Sequence, residues 1–168
     1  MMGLTQLGQM LHEEHQRTLS LLNNLESRIL GPAANVPMSP DSDDDRRQLK
    51  TVIDVVDQDV DRHFGFEEEV LFPLLAEHGA TDMTEMLMQE HELIRPLATR
   101  IKELALQALD GGLDDAAWGD FKTLGMELIE REIFHIQKEE MGLVQGLSYF
   151  LDPDTDRELS LRYADVRG

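Results

Sequence analysis

The 168-residue chain contains no cysteine. That absence excludes disulfides, thiolate zinc sites, iron–sulfur clusters and cysteine nucleophiles, and it gives no sign of an oxidising compartment. Basic residues are few: Lys+Arg 15 stand against Asp+Glu 34, for a formal charge of −19. A polyanion repels phosphate, so neither nucleic acid nor an anionic membrane surface is an expected partner. No apolar run is long enough to span a bilayer. The first residues, MMGLTQLGQMLHEEH, lack the basic start and unbroken apolar stretch of a signal peptide, and a cytoplasmic protein is expected. Nothing alternates with a period of two over a useful length, so no sheet is expected.

What the chain does have is apolar residues at helical spacing, in four segments within one domain's length. The first runs from Leu4 to Leu30, with Leu7, Leu11, Leu22, Leu25 and Ile29 on one side, and Gly31-Pro32 ends it. The second begins within Asp41 to Asp45, carries Val52, Val56, Val60, Val70 and Leu74, and stops at Gly79. The third opens at Thr81-Asp82, with Asp82 and Glu85 spaced as a capping box, and closes at Gly111-Gly112. Pro96 inside it predicts a bend. The fourth runs from Asp114-Asp115 to Asp152-Pro153. The pattern predicts an all-α fold, an antiparallel up-down-up-down four-helix bundle over residues 1–150. Residues 31–45, GPAANVPMSPDSDDD, read as a flexible inter-helix loop, and residues 151–168 as a C-terminal tail with a weak helical signal.

The histidines carry the chemistry. His63 and Glu67 are four apart on the second helix, and His135 and Glu139 are four apart on the fourth. Residues at that separation share a helix face, so each pair can offer an imidazole and a carboxylate to one point of the interior. His15 lies on the inner stripe of the first helix and His91 on that of the third. The layout repeats: His15 then His63-x-x-x-Glu67, and His91 then His135-x-x-x-Glu139. Six such ligands are too many for one four-coordinate zinc. They suit two metals bridged by the two carboxylates, and imidazole with carboxylate favours iron or manganese.

A single core histidine is usually just a hydrogen-bonded residue, and one His–Glu pair is common on an exposed face. Four coincidences weigh differently, because burying two glutamates without a cation is expensive. His12 could supply a fifth imidazole or lie on the flank. His78, before Gly79, suits a helix C-terminus. Glu68 and Glu140 point about 100° away from their neighbouring ligands, toward supporting or solvent-facing positions. Phe64, Phe66, Phe72 and Phe134 read as core, and Met83, Met86 and Met88 as packing.

With those residues in view, the sequence resembles the hemerythrin-like (HHE cation-binding) family. Its first-helix Glu-His appears as Glu14-His15, and its third-helix Glu-His as Glu90-His91. The block His-Phe-x-x-Glu-Glu-x-x-Leu-Phe-Pro appears as His63 to Pro73, and His-x-x-x-Glu-Glu as His135 to Glu140. The resemblance implies two iron ions, oxo- or hydroxo-bridged, held by His15, His63, Glu67, His91, His135 and Glu139. Oxygen-carrying hemerythrins have a second histidine four residues after the third-helix one; here Arg95 stands there. The fourth-helix block ends in Met141-Gly142-Leu143 rather than Leu-Phe-Pro. Fewer nitrogen ligands leave more open positions, which favours reaction or sensing over storage.

The expected function is therefore a di-iron protein that binds dioxygen, nitric oxide or peroxide, or handles iron. No exogenous substrate chemistry is visible. A ferritin-like carboxylate oxidase would need Glu-x-x-His on two helices; Glu132-x-x-His135 fits, but Val60 occupies the matching place before His63. The third reading is a metal-free helical module whose acidic surface binds a protein partner.

Overall fold

The computed structural model describes residues 3–167. It is helical, with no strand among the described residues. Helix α1 spans Gln6–Leu30, capped by the Thr5 side chain, which accepts from the Gly8 amide. It starts two residues later than Leu4, which is left 38% exposed. Helix α2 covers 43–77; Ser42 caps it, and Asp43, Asp44 and Asp45 complement the dipole of its first turn. Helix α3 spans Thr81–Gly111, and α4 covers 115–150, capped by Asp114. Helix α5 is Pro153–Arg167.

One detail of α3 differs from the sequence reading. Its N-cap is Ala80, which makes no side-chain bond, so Asp82 lies within the first turn and not at the cap. There it complements the helix dipole instead. The helix runs through Pro96 as continuous α-helix. Pro96 and Glu92 are both exposed, so the carbonyl left without a partner by the proline faces water. Gly79 and Gly112 end α2 and α3 with φ of 94° and 84°, a left-handed conformation that glycine adopts at no steric cost.

Short connections join α2 to α3 and α3 to α4, so each pair is antiparallel. Helix α1 packs on α2 and α4, and α3 packs on the same two from the other side. The apolar interior is divided. One cluster, including Leu25, Val52, Ile101, Phe121 and Trp118, fills one end of the bundle. Another, including Leu11, Leu75, Leu87, Leu147 and Tyr163, fills the other. His15 and His63 lie in sequence between members of the two clusters, and the buried polar residues form the layer between them.

Helices α2 and α4 are not α-helical throughout. Val56–His63 and Glu67–Leu71 in α2, and Glu139–Val144 in α4, are π-helical. Such wider turns are uncommon and tend to sit at functional sites. Here they occur in the helices that carry His-x-x-x-Glu, while α1 and α3 stay regular.

Helix α5 lies on α1 and on the π-helical part of α2. Its start is well specified. Asp152 accepts from the Thr155 amide at 2.7 Å, and Pro153 takes the first position, where its missing N–H costs nothing. The Asp156 carboxylate then accepts from the amides of Gln6 and Leu7 at 2.9 and 3.0 Å, which ties the end of the chain to the start of α1. The 31–42 connection is packed as turns: Met38 is 1% exposed, and the Trp118 indole donates to the Ala34 carbonyl at 2.8 Å. Among the described residues no helix is long and apolar enough to cross a membrane.

Candidate metal centre

The six residues singled out by spacing meet in the middle of the bundle. His15, His63, Glu67, His91, His135 and Glu139 are each at most 1% exposed. Their donor atoms form two groups. Glu67, His91, His135 and Glu139 make one, and His15, His63 and Glu139 make the other; within each, the atoms lie within 4.8 Å of one another. Glu139 belongs to both.

Each imidazole is turned the same way. Its Nδ1 meets a carboxylate on the outer side: His15 with Glu140 at 2.8 Å, His63 with Glu14 at 2.9 Å, His91 with Glu68 at 2.7 Å, and His135 with Glu90 at 2.8 Å. A carboxylate accepts the Nδ1 proton, so Nε2 presents a lone pair inward. The inward atoms then crowd. His91 Nε2 and His135 Nε2 are 3.2 Å apart, and His15 Nε2 lies 3.0 Å from Glu139 Oε1. Two lone pairs do not face each other at that distance unless a proton or a cation lies between them.

The supporting carboxylates follow a rule. Each sits directly beside a proposed ligand on its own helix and supports the histidine of another: Glu14 beside His15, Glu68 beside Glu67, Glu90 beside His91, Glu140 beside Glu139. Glu14 of α1 serves His63 of α2, Glu68 of α2 serves His91 of α3, Glu90 of α3 serves His135 of α4, and Glu140 of α4 serves His15 of α1. The bonds close into a ring. His12 meets Glu140 at 3.0 Å, with its side chain 38% exposed. It stands behind the His15 support and is not in either donor group.

The electrostatics show how much positive charge the layer requires. Burial lowers the His15 imidazole, but hydrogen bonds to Glu139 and Glu140 outweigh it and hold the pKa at about 9. His91 also stands at about 9: burial opposes, and Glu139 and Glu67 prevail. His135 is pushed up to about 11 against burial, chiefly by Glu139, and His63 well above its ordinary value against burial, by Glu67 and Glu139. Glu139 itself is held well below the carboxylate range: burial would raise it, and His135 foremost draws it down. Glu67 Oε1 and Oε2 and Glu139 Oε2 are buried without a hydrogen bond. The nearest groups are imidazole nitrogens: Nε2 atoms of His63 and His91 approach Glu67 Oε1 at 3.4 and 3.3 Å, and His135 Nε2 lies 2.9 Å from Glu139 Oε2. Buried carboxylate oxygens left in this way are costly unless a cation fills the space, so the donor set fits a metal pair.

Aromatic rings wall the site. Phe64 stacks on His91 with centroids 3.7 Å apart and an angle of 3°, and it meets His135 edge-on at 5.3 Å. Phe72 lies 5.3 Å from His91. Phe134, read as core from the sequence, is 55% exposed; next to the inward His135, it points out of the bundle. His78 Nδ1 donates to the Leu74 carbonyl at 2.9 Å, a helix-end role. Arg95, at the place of the absent fifth imidazole, pairs with Glu68 at 2.7 Å and lies over the Phe64 ring at 5.8 Å.

Three further buried residues stand around the donor groups. Asp59, 6% exposed, approaches His63 Nδ1 at 3.5 Å, and burial raises its pKa. Glu132, 3% exposed, is raised to about 8 by burial and then by Asp59. Tyr163, fully buried, donates its hydroxyl proton to Glu14. Glu132 is legible in Glu132-x-x-His135, whereas the acid near His63 is Asp59, one position before Val60, where the motif demands a glutamate. Tyr163 comes from the segment with the weakest helical signal.

No curated protein and no solved structure matches the chain. The family description "hemerythrin HHE cation binding domain" matches residues 7–147, a span that reaches all four bundle helices and includes every residue of both donor groups. The chain belongs to the hemerythrin HHE cation-binding family.

Proposed function

We propose that the chain is a non-haem di-iron protein that binds dioxygen or a related small oxidant, nitric oxide or peroxide. One observation carries this reading: Glu139 is common to two adjoining, fully buried groups of donors. A carboxylate shared between two sets of imidazoles is what a bridged pair of ions needs. His15 and His63 would hold one ion, and His91 and His135 the other, with the Glu67 and Glu139 carboxylates between the two pairs. When bound, such a pair supplies one-electron redox steps and open positions for a small ligand.

The protein's part is to orient and to exclude water. The outer carboxylates fix each ring's tautomer and aim Nε2 inward. Phe64 and Phe72 keep the His91 side dry. Asp59 faces the outer nitrogen of His63 rather than the inner one, and neither it nor Glu132 joins a donor group, so the ferritin-like arrangement gains no second Glu-x-x-His. The number of iron ions per chain, with an optical spectrum of the air-exposed protein, tests the reading. The expected result is two irons and an oxo-bridged diferric band that bleaches on reduction and returns in air. A chain that takes up no iron is a metal-free helical module instead.

A further inference from the structure

The four supporting carboxylates differ in what lies behind them. Glu140 meets His12, Glu68 meets Arg95, and Glu90 meets Lys138. Those three partners are basic side chains, 36 to 45% exposed. Behind Glu14, beside the more distant Arg17 at 3.6 Å, is the hydroxyl of Tyr163, which has no exposed surface. Helix α5 delivers it. The ring lies 4.8 Å from Phe66 and stands edge-on to His63 with centroids 6.0 Å apart. Its oxygen is 3.1 Å from His63 Nδ1. Phenol, carboxylate and imidazole thus form a continuous line whose last atom, His63 Nε2, faces the donor cluster.

An arginine or a lysine sets the carboxylate well enough at Glu68 and Glu90, and a phenylalanine would fill the space. A phenol adds one capacity: it gives up an electron and a proton together when a base is in hydrogen-bond reach. Glu14 is in reach. We propose that Tyr163 is a redox-active tyrosine, the built-in one-electron donor to the His15–His63 side of the centre; this role depends on the di-iron reading above. The oxidant is a peroxide. Reducing hydrogen peroxide to two waters takes two electrons and two protons. One of the two electrons would be supplied by the iron pair when bound in its half-reduced, Fe(II)Fe(III), state. The phenolic O–H bond of Tyr163 breaks to give the second; its proton passes to the Glu14 carboxylate, and both protons for water come from solvent. Full burial keeps the resulting neutral phenoxyl away from solvent reductants. The chain has only one other tyrosine, Tyr149, and it is 79% exposed.

The test is electron paramagnetic resonance of half-reduced, iron-loaded protein, freeze-quenched after mixing with hydrogen peroxide. A tyrosyl signal is expected that narrows with ring-deuterated tyrosine, survives Tyr149→Phe, and is lost in Tyr163→Phe while iron content is kept. Should Tyr163→Phe fail to load iron, the Tyr149→Phe protein still decides, because Tyr163 is then its only tyrosine. An iron-loaded wild type with no tyrosyl signal, or a signal abolished by Tyr149→Phe, overturns the role and leaves the di-iron reading standing. A wild type without iron removes the di-iron reading itself.

Discussion

On the His91–His135 side of the centre four side chains face a common point, and on the His15–His63 side three do. The surroundings differ too. The first side is backed by Arg95 and Lys138 at the surface and walled by Phe64 and Phe72. The second is backed by the half-exposed His12 behind His15 and by the buried Tyr163 behind His63, with the buried Asp59 also against His63. The sequence repeat, His then His-x-x-x-Glu, describes the ligands only. What surrounds them differs between the two sides, so two bound ions would not be equivalent.

The largest effect should come from the residue both sides share. Glu139→Ala is expected to remove both irons, whereas Glu67→Ala should remove mainly the one held by His91 and His135. Metal analysis of the two purified variants checks this, and equal losses would erase the asymmetry. The second expected effect concerns pH. In the metal-free protein the raised imidazoles stabilise the fold fully below their ordinary value of about 6.5. That contribution is lost as pH climbs through about 9 for His15 and His91 and about 11 for His135. Glu139 works the other way, contributing above the carboxylate range and losing its contribution only in acid. Thermal melts of the iron-free protein should therefore fall between about pH 7 and about pH 10, while those of the loaded protein hold. Iron binding should also release protons, and its affinity should rise with pH over the same range.

A smaller effect is expected from the supports. Removing an outer carboxylate typically weakens a metal site by about 10–100-fold. Glu14→Ala should lie at the upper end, because its place is 6% exposed and water cannot readily replace it. Glu68→Ala and Glu90→Ala, whose side chains are 18 and 17% exposed, should lie lower. Competition with a chelator of known affinity measures the order, and Glu68→Ala weaker than Glu14→Ala would invert the comparison. The smallest effect is expected from His12→Ala, which should leave two irons per chain, since His12 touches Glu140 alone among the site residues.

Much of this was legible before any coordinates, for a simple reason. Apolar residues at a period near 3.6 mark the buried stripe, and a histidine on that stripe has to point inward. His15, His63, His91 and His135 were therefore placed by the leucines and valines around them. The supports were harder to see. Glu68 and Glu140 read as off-face residues because a 100° rotation points at the neighbouring helix as readily as at solvent, and only packing decides. Asp59 is hidden because Glu-x-x-His fixes one spacing, while Val56–His63 is π-helical and shifts the register. Phe134 misled for the opposite reason: an aromatic beside a ligand suggests core, but its neighbour already takes the inward direction. Tyr163 is hidden because Asp152-Pro153 marks both the end of one helix and the start of the next, and the tail beyond it carries only a weak helical signal.

The closed ring of supports has a mechanical consequence. Sliding any one helix along its axis displaces the ligand it carries and, through the acid next to that ligand, the imidazole of the following helix. The helix that bears that imidazole also carries the acid that steadies a third rod. Misalignment cannot stay local in such a circuit, so the pocket should assemble and come apart as a single cooperative event, with no half-built form in between.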